Sequence, residues 1–121
     1  SLTLNLKSEQ GRQVFRQLVE THDVVLENFR PGVMDRLGFG WEALQEINPG
    51  IVYCAISGFG QSGPLRDRPA YDQIIQGMSG LMSVTGDRET APLRVGAPIA
   101  DTVGGFAAAF AIASALLETA V

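Results

Sequence analysis

Ile51-Val52-Tyr53-Cys54-Ala55-Ile56-Ser57 is a nearly unbroken apolar run, bounded by Asn48-Pro49-Gly50 before it and Gly58 after it. A strand with one wet face alternates apolar and polar residues. A run without alternation suits a strand covered on both faces, as in a parallel sheet. Asp23-Val24-Val25-Leu26-Glu27-Asn28 reads as another strand, and the alternation of Leu2-Thr3-Leu4-Asn5-Leu6 as the first. Between these two, Ser8 is placed to cap a helix running to about His22, with Val14, Phe15, Leu18 and Val19 on one face. Strand, helix, strand is a βαβ unit, which implies parallel pairing and a right-handed crossover. Pro31 opens a short helix ending at Gly38 or Gly40, and Trp41–Ile47 forms the next. Gly58–Pro69 reads as a polar loop and Tyr71–Val84 as a helix weakened by Gly77 and Gly80. Thr85–Pro92 is a loop, Leu93–Val95 a short strand, and Asp101 onward a long helix. The expected fold class is α/β: a doubly wound parallel sheet, incomplete at both ends.

The bulk properties narrow the function. The 121 residues are 45% hydrophobic and 18% charged, which suits one domain or part of one. A net charge of −4 gives no general basic surface for nucleic acid. The single cysteine, Cys54, excludes an internal disulfide framework and fits a reducing compartment. No secretory signal is visible. The apolar stretch Val103–Leu117 is about 15 residues long, short of the roughly 20 that a membrane span needs, and reads as a buried core helix. Ser1 leads straight into a strand-like run, and Leu116 to Val121 still read as helix. Both ends are therefore expected to lie inside structure, as in a piece of a longer protein.

The chemistry centres on Asp101. In Gly96-Ala97-Pro98-Ile99-Ala100-Asp101-Thr102-Val103-Gly104-Gly105, Pro98 blocks helix before the aspartate and an apolar helix follows it. The plain reading is an N-cap, its side chain accepting from the free amides of the first turn. The helix dipole favours negative charge there. Gly104 and Gly105 weaken the helix but leave that side of the carboxylate open. An accessible carboxylate with small neighbours is also a candidate nucleophile.

A second cluster, Glu27-Asn28-Phe29-Arg30-Pro31-Gly32-Val33-Met34-Asp35-Arg36, lies at the carboxyl end of a strand, the edge where open α/β sheets bind ligands. It offers an amide, an aromatic face and two cations, a set suited to a nucleotide-like anion. Its bland alternative is a surface helix with solvated arginines. Lys7 belongs to the same edge. Gly58-Phe59-Gly60-Gln61-Ser62-Gly63 matches G-x-G-x-x-G, but Pro64 and Pro69 keep a helix from starting inside it, so it is rejected as a dinucleotide site. His22, the only histidine, sits at a helix end, so neither a Ser-His-Asp system nor a histidine-built metal site can be assembled from this stretch. Cys54 reads as a buried hydrophobe, Trp41 as the anchor of its helix, and Asp67 as a partner of Arg66 or Arg68.

Taken in order, Val25-Leu26-Glu27-Asn28-Phe29-Arg30-Pro31-Gly32, Asn48-Pro49-Gly50-Ile51-Val52-Tyr53, Ser57-Gly58-Phe59-Gly60-Gln61-Ser62-Gly63-Pro64, Pro69-Ala70-Tyr71-Asp72 through Met78-Ser79-Gly80-Leu81-Met82, and Gly96-Ala97-Pro98-Ile99-Ala100-Asp101 resemble the class III CoA-transferases, the CaiB/BaiF or formyl-CoA transferase family. The resemblance spans essentially the whole chain. It implies that residues 1–121 are part of a Rossmann-like N-terminal domain in a chain roughly three times longer. It implies Asp101 as the catalytic nucleophile. It implies a CoA site formed by Leu4, Asn5, Leu6 and Lys7, by Asn28, Phe29 and Arg30, and by Arg36, Tyr71 and Asp72. It further implies an interlocked homodimer, a cytoplasmic location, and no metal, membrane or cofactor beyond CoA as substrate. The expected reaction moves CoA from an acyl-CoA to a free carboxylic acid through an aspartyl anhydride and an aspartyl-CoA thioester.

Two alternatives stand beside it. Related α-methylacyl-CoA racemases carry a His-Asp pair where Tyr71-Asp72 stands, and a phenol, with an ordinary pKa of about 10, is a poor base near neutral pH. The isolated 121 residues could also hold CoA without turning it over.

Overall fold

The computed structural model describes residues 1–119. Ala120 and Val121, read from the sequence as helix, lie outside the described residues. Helix α1 spans Glu9–Thr21, and Ser8 caps it as expected, its hydroxyl accepting from Gly11 N at 3.1 Å. His22 closes the helix, with Nδ1 2.7 Å from Leu18 O. Strand β1 is Val24–Glu27 and β2 is Val52–Ala55. They pair in parallel, Val24 opposite Val52 through Glu27 opposite Ala55. The connection between them carries two short helices, α2 (Val33–Leu37) and α3 (Trp41–Ile47). The first helix ends at Gly38, whose φ of 82° is a left-handed cap that a residue with a Cβ resists.

Residues 2–6 are not a strand. Their backbone turns back early: Asn5 O accepts from both Ser8 N and Ser8 Oγ, and Asn5 Oδ1 from Lys7 N. The βαβ unit of this chain is therefore β1–α2–α3–β2, and the sheet described has two strands. Leu93–Val95 is likewise loop.

The core lies between the sheet and α1, α2 and α3. Val19, Met34, Phe39, Leu44 and Ile51 are buried, with Phe15, Val25 and Tyr53 packed against them. Phe15 meets Phe39 edge to face, with ring centroids 4.6 Å apart. Trp41 is not the expected anchor: it is 45% exposed, and Leu44, one turn on, fills the core instead. Helix α4 runs Asp72–Met78, shorter than the sequence suggests because Gly80 takes φ 84° and hands over to a 3-10 turn at Leu81–Val84.

Helix α5 is Ile99–Thr119. It starts two residues before Asp101, because Pro98 supplies the carbonyl that takes the first helical bond, from Thr102 N at 3.0 Å. It packs on α4 and β2, but none of its residues is buried; Phe106 is 74% and Phe110 77% exposed. The burial expected from the sequence is not found among the described residues. With 21 residues it also meets the length and composition of a membrane span, which the shorter apolar stretch counted from the sequence does not.

Candidate active site

Parallel strands deliver their outgoing loops to one edge. Residues 28–31 after β1, 57–58 after β2 and 66–71 before α4 meet there around a cleft of about 180 Å³. Arg30, Arg66 and Arg68 line it. A second cleft, of about 240 Å³, shares Asn28, Ser57, Gly58, Ala70 and Tyr71 with the first and runs on to Ala100, Asp101 and Gly104. The two form one groove, cationic at one end and carrying a carboxylate at the other. Among the described residues Arg30 and Arg68 make no ion pair, whereas Arg66 Nε lies 3.5 Å from Asp67 Oδ2. Asp67 is thus paired, as its sequence neighbours suggest. No three His, Cys, Asp or Glu side chains among the described residues gather to hold a metal ion.

The turn after β1 is fixed by Glu27. One carboxylate oxygen accepts from Phe29 N and the other from Tyr53 Oη at 2.9 Å. Burial, and then the Glu27 carboxylate, push the Tyr53 phenol far above its ordinary pKa, so it remains a proton donor. Val33 N bonds Arg30 O at 3.1 Å and closes the turn. Asn28, Phe29 and Arg30 are all exposed as a result, with their side chains available to a ligand.

The start of α5 is held from α4. Asp72, 5% exposed, accepts from Ala100 N through Oδ1 at 2.8 Å and from Gln76 Nε2 through Oδ2 at 2.6 Å. Gln76, fully buried, accepts from Val95 N through Oε1 at 2.8 Å and donates from Nε2 to Ala97 O at 3.3 Å. A helix start leaves backbone amides without internal partners. Here a carboxylate from the neighbouring helix takes one of them. Asp101 is therefore not the cap. It is the third residue of α5, exposed, and lines the groove.

Of the residues expected at the site, Asn28, Phe29, Arg30, Tyr71 and Asp101 line the groove. Leu4, Asn5, Leu6 and Lys7 do not. Leu6 instead borders a separate apolar hollow of about 390 Å³ beside β1, where Phe29 also lies. Arg36 is exposed on α2, with Nη1 3.3 Å from where a Cβ on Gly32 would stand, beside the 30–32 turn but outside the groove lining. Asp72 faces inward and spends both oxygens on the fold. Sequence reasoning assigned no role to Ser57, Gln76 or Gly58. Arg66 and Arg68 were read only as partners of Asp67, though two arginines within five residues of Tyr71 were a usable signal.

Gly58 is where the loops from β2 and α4 touch. A Cβ there would stand 2.0 Å from Ala70 Cβ. Gly58→Ala is therefore expected to lower stability by about 1–3 kcal/mol, the usual overpacking cost, and to spread the groove. Urea unfolding of the two proteins checks it.

The chain is similar to known proteins along its whole length. A sequence model of CoA-transferase family III matches residues 1–121. An acetyl-CoA:oxalate CoA-transferase of Acetobacter aceti is 53% identical over 117 residues, 96% of this chain and 30% of the relative. A succinate–glutarate CoA-transferase of Agrobacterium fabrum is 43% identical over 118 residues, 98% of this chain and 30% of the relative. The crystal structure of a CaiB/BaiF family protein from Brucella suis superposes with a TM-score of 0.96 at 43% identity, over 99% of this chain and 32% of that one. The chain thus spans about 30% of the length of the curated relatives it matches.

Proposed function

The chain belongs to CoA-transferase family III, and from that premise we propose that it carries the CoA site and the nucleophile of an enzyme that exchanges CoA between an acyl-CoA and a free carboxylic acid. One observation carries this reading: a single groove joins unpaired arginines at one end to an exposed aspartate at the other. Acyl-CoA has the matching layout, with phosphates at one end and a thioester at the other. Phe29 offers a face for the adenine, Arg30 and Arg68 meet phosphate oxygens, and Arg36 stands near enough to join them.

Each step conserves atoms and charge. An Asp101 oxygen attacks the thioester carbonyl carbon, the C–S bond breaks, and CoA leaves as thiolate, giving a mixed anhydride. The thiolate attacks the Asp101 carbonyl carbon and expels the donor carboxylate, leaving an aspartyl-CoA thioester. The acceptor carboxylate attacks that thioester and releases the thiolate, which then attacks the acceptor's acyl carbon. Acyl-CoA departs and the Asp101 carboxylate is restored. The side chain is chemically like donor and acceptor, so the intermediates lie close in energy. Of the amides at the α5 start, Ile99 N, Ala100 N and Thr102 N are already bonded, which leaves Asp101 N to favour the oxyanions. No metal and no cofactor besides CoA enters.

The acceptor is a small carboxylic acid, of which the relatives' oxalate, succinate and glutarate are the first to test. In the complete fold, residues 1–121 belong to a Rossmann-like, doubly wound N-terminal domain. The exposed face of α5 is covered by protein, not lipid, in an interlocked homodimer of the cytoplasm.

Transfer and racemisation separate in heavy water. Racemisation needs two groups, one on each side of the α-carbon, and the position beside Asp101 holds the phenol of Tyr71, 69% exposed. The full-length polypeptide, given a 2-methylacyl-CoA and a panel of free acids, is expected to form new acyl-CoA without deuterium at the α-position. Deuterium uptake at a catalytic rate, with no transfer to any acid, would establish the racemase instead.

A further inference from the structure

Ser57 Oγ is buried and has no hydrogen-bond partner among the described residues. Native folds satisfy the great majority of such groups, and a buried hydroxyl without a partner costs free energy that only a partner returns. Its position says which partner. Ser57 follows the end of β2 and borders both clefts, where the cationic one opens into the one holding Asp101. A ligand reaching from the arginines to Asp101 passes the residues the two clefts share, Asn28, Ser57, Gly58, Ala70 and Tyr71. The walls there include the uncharged Ile56, Gly58 and Ala70.

We propose that the Ser57 hydroxyl hydrogen-bonds an amide of the pantetheine arm of CoA. The proposal rests on the CoA reading above and adds the contact for the uncharged middle of the ligand. The arm is a slender chain whose polar groups are chiefly amides, each able to accept from the hydroxyl or donate to it. Phosphate would be drawn to the guanidinium groups rather than to a lone neutral hydroxyl, which leaves Ser57 to the segment between phosphates and thioester.

The test compares wild-type and Ser57→Ala full-length polypeptide with two probes by calorimetry: CoA, and adenosine 3′,5′-bisphosphate, which lacks the arm. Ser57→Ala should weaken CoA about 2- to 13-fold, the worth of one neutral hydrogen bond, and leave the bisphosphate unchanged. Because the unliganded protein loses only an orphaned hydroxyl, its melting temperature should stay level or rise. Unchanged CoA affinity overturns the proposal and leaves the CoA reading standing. Equal weakening of both probes, or a lower melting temperature without ligand, also overturns it, by giving Ser57 a structural partner. A wild-type protein that binds neither probe removes the CoA reading itself.

Discussion

Asp101→Asn is expected to cut CoA transfer by the full-length enzyme by at least about 10³-fold while leaving its fold and its CoA affinity in place. An amide has nearly the shape of a carboxylate but does not attack a thioester, and loss of a nucleophile is among the largest single-residue effects on an enzyme. The structure adds the second half of the expectation. Were Asp101 the N-cap, its replacement would also disturb α5. The start of α5 is instead held by Asp72 Oδ1 on Ala100 N, so Asp101 is free of structural duty. Steady-state transfer, melting temperature and CoA titration of the one variant separate the two roles. Near-normal transfer would remove Asp101 from the chemistry. A large fall in melting temperature would return it to the cap.

Asp72→Asn is expected to do the opposite and lower stability by about 2–4 kcal/mol, because a buried donor is left facing a donor. Both carboxylate oxygens of Asp72 accept hydrogen bonds. An asparagine must turn its NH₂ toward either Ala100 N or Gln76 Nε2. Gln76 is unable to flip in compensation, since its Oε1 already accepts from Val95 N. The damage reaches the site, because these bonds set where α5 begins and hence where Asp101 stands. Urea denaturation gives the stability loss, and a fall in kcat at saturating acyl-CoA gives its catalytic echo. A variant as stable as wild type would mean that the α4–α5 clamp is dispensable.

Local signals were legible in the sequence where local physics decides. Ser8 capped its helix, Gly38 ended another, and the apolar run 51–57 contained a parallel strand, because each depends on near neighbours. Contacts between distant segments were not legible. Pro98 was read as keeping the helix from starting before Asp101, yet α5 begins at Ile99, and the group that takes its free amide is Asp72, 28 positions from Ala100. Asp72 matched a ligand-binding motif, but burial beside Gln76 gave it another task. Leu2–Leu6 had the alternation of a strand, but pairing needs a ladder, and the turn at Asn5–Ser8 takes up its last backbone groups. Trp41 was the largest apolar residue of α3 and still lost the core to Leu44, which the helical phase turns inward. The groove itself was half readable. The outgoing strand end at Asn28–Arg30 and the exposed Asp101 were found, while the arginines of the 66–68 loop and the hydroxyl of Ser57 join them only once β1 and β2 lie side by side.

The covalent intermediate on Asp101 is open to direct observation. The full-length enzyme, incubated with acyl-CoA and no acceptor acid and then treated with hydroxylamine or borohydride, is digested and analysed by mass spectrometry. An activated ester or thioester at a carboxylate becomes a hydroxamate or an alcohol, whereas a free carboxylate stays unchanged. The expected result is modification of Asp101 alone, dependent on acyl-CoA and absent from Asp101→Asn. An enzyme that transfers CoA at full rate with Asp101 unmodified, or with the label on another residue, would contradict the account.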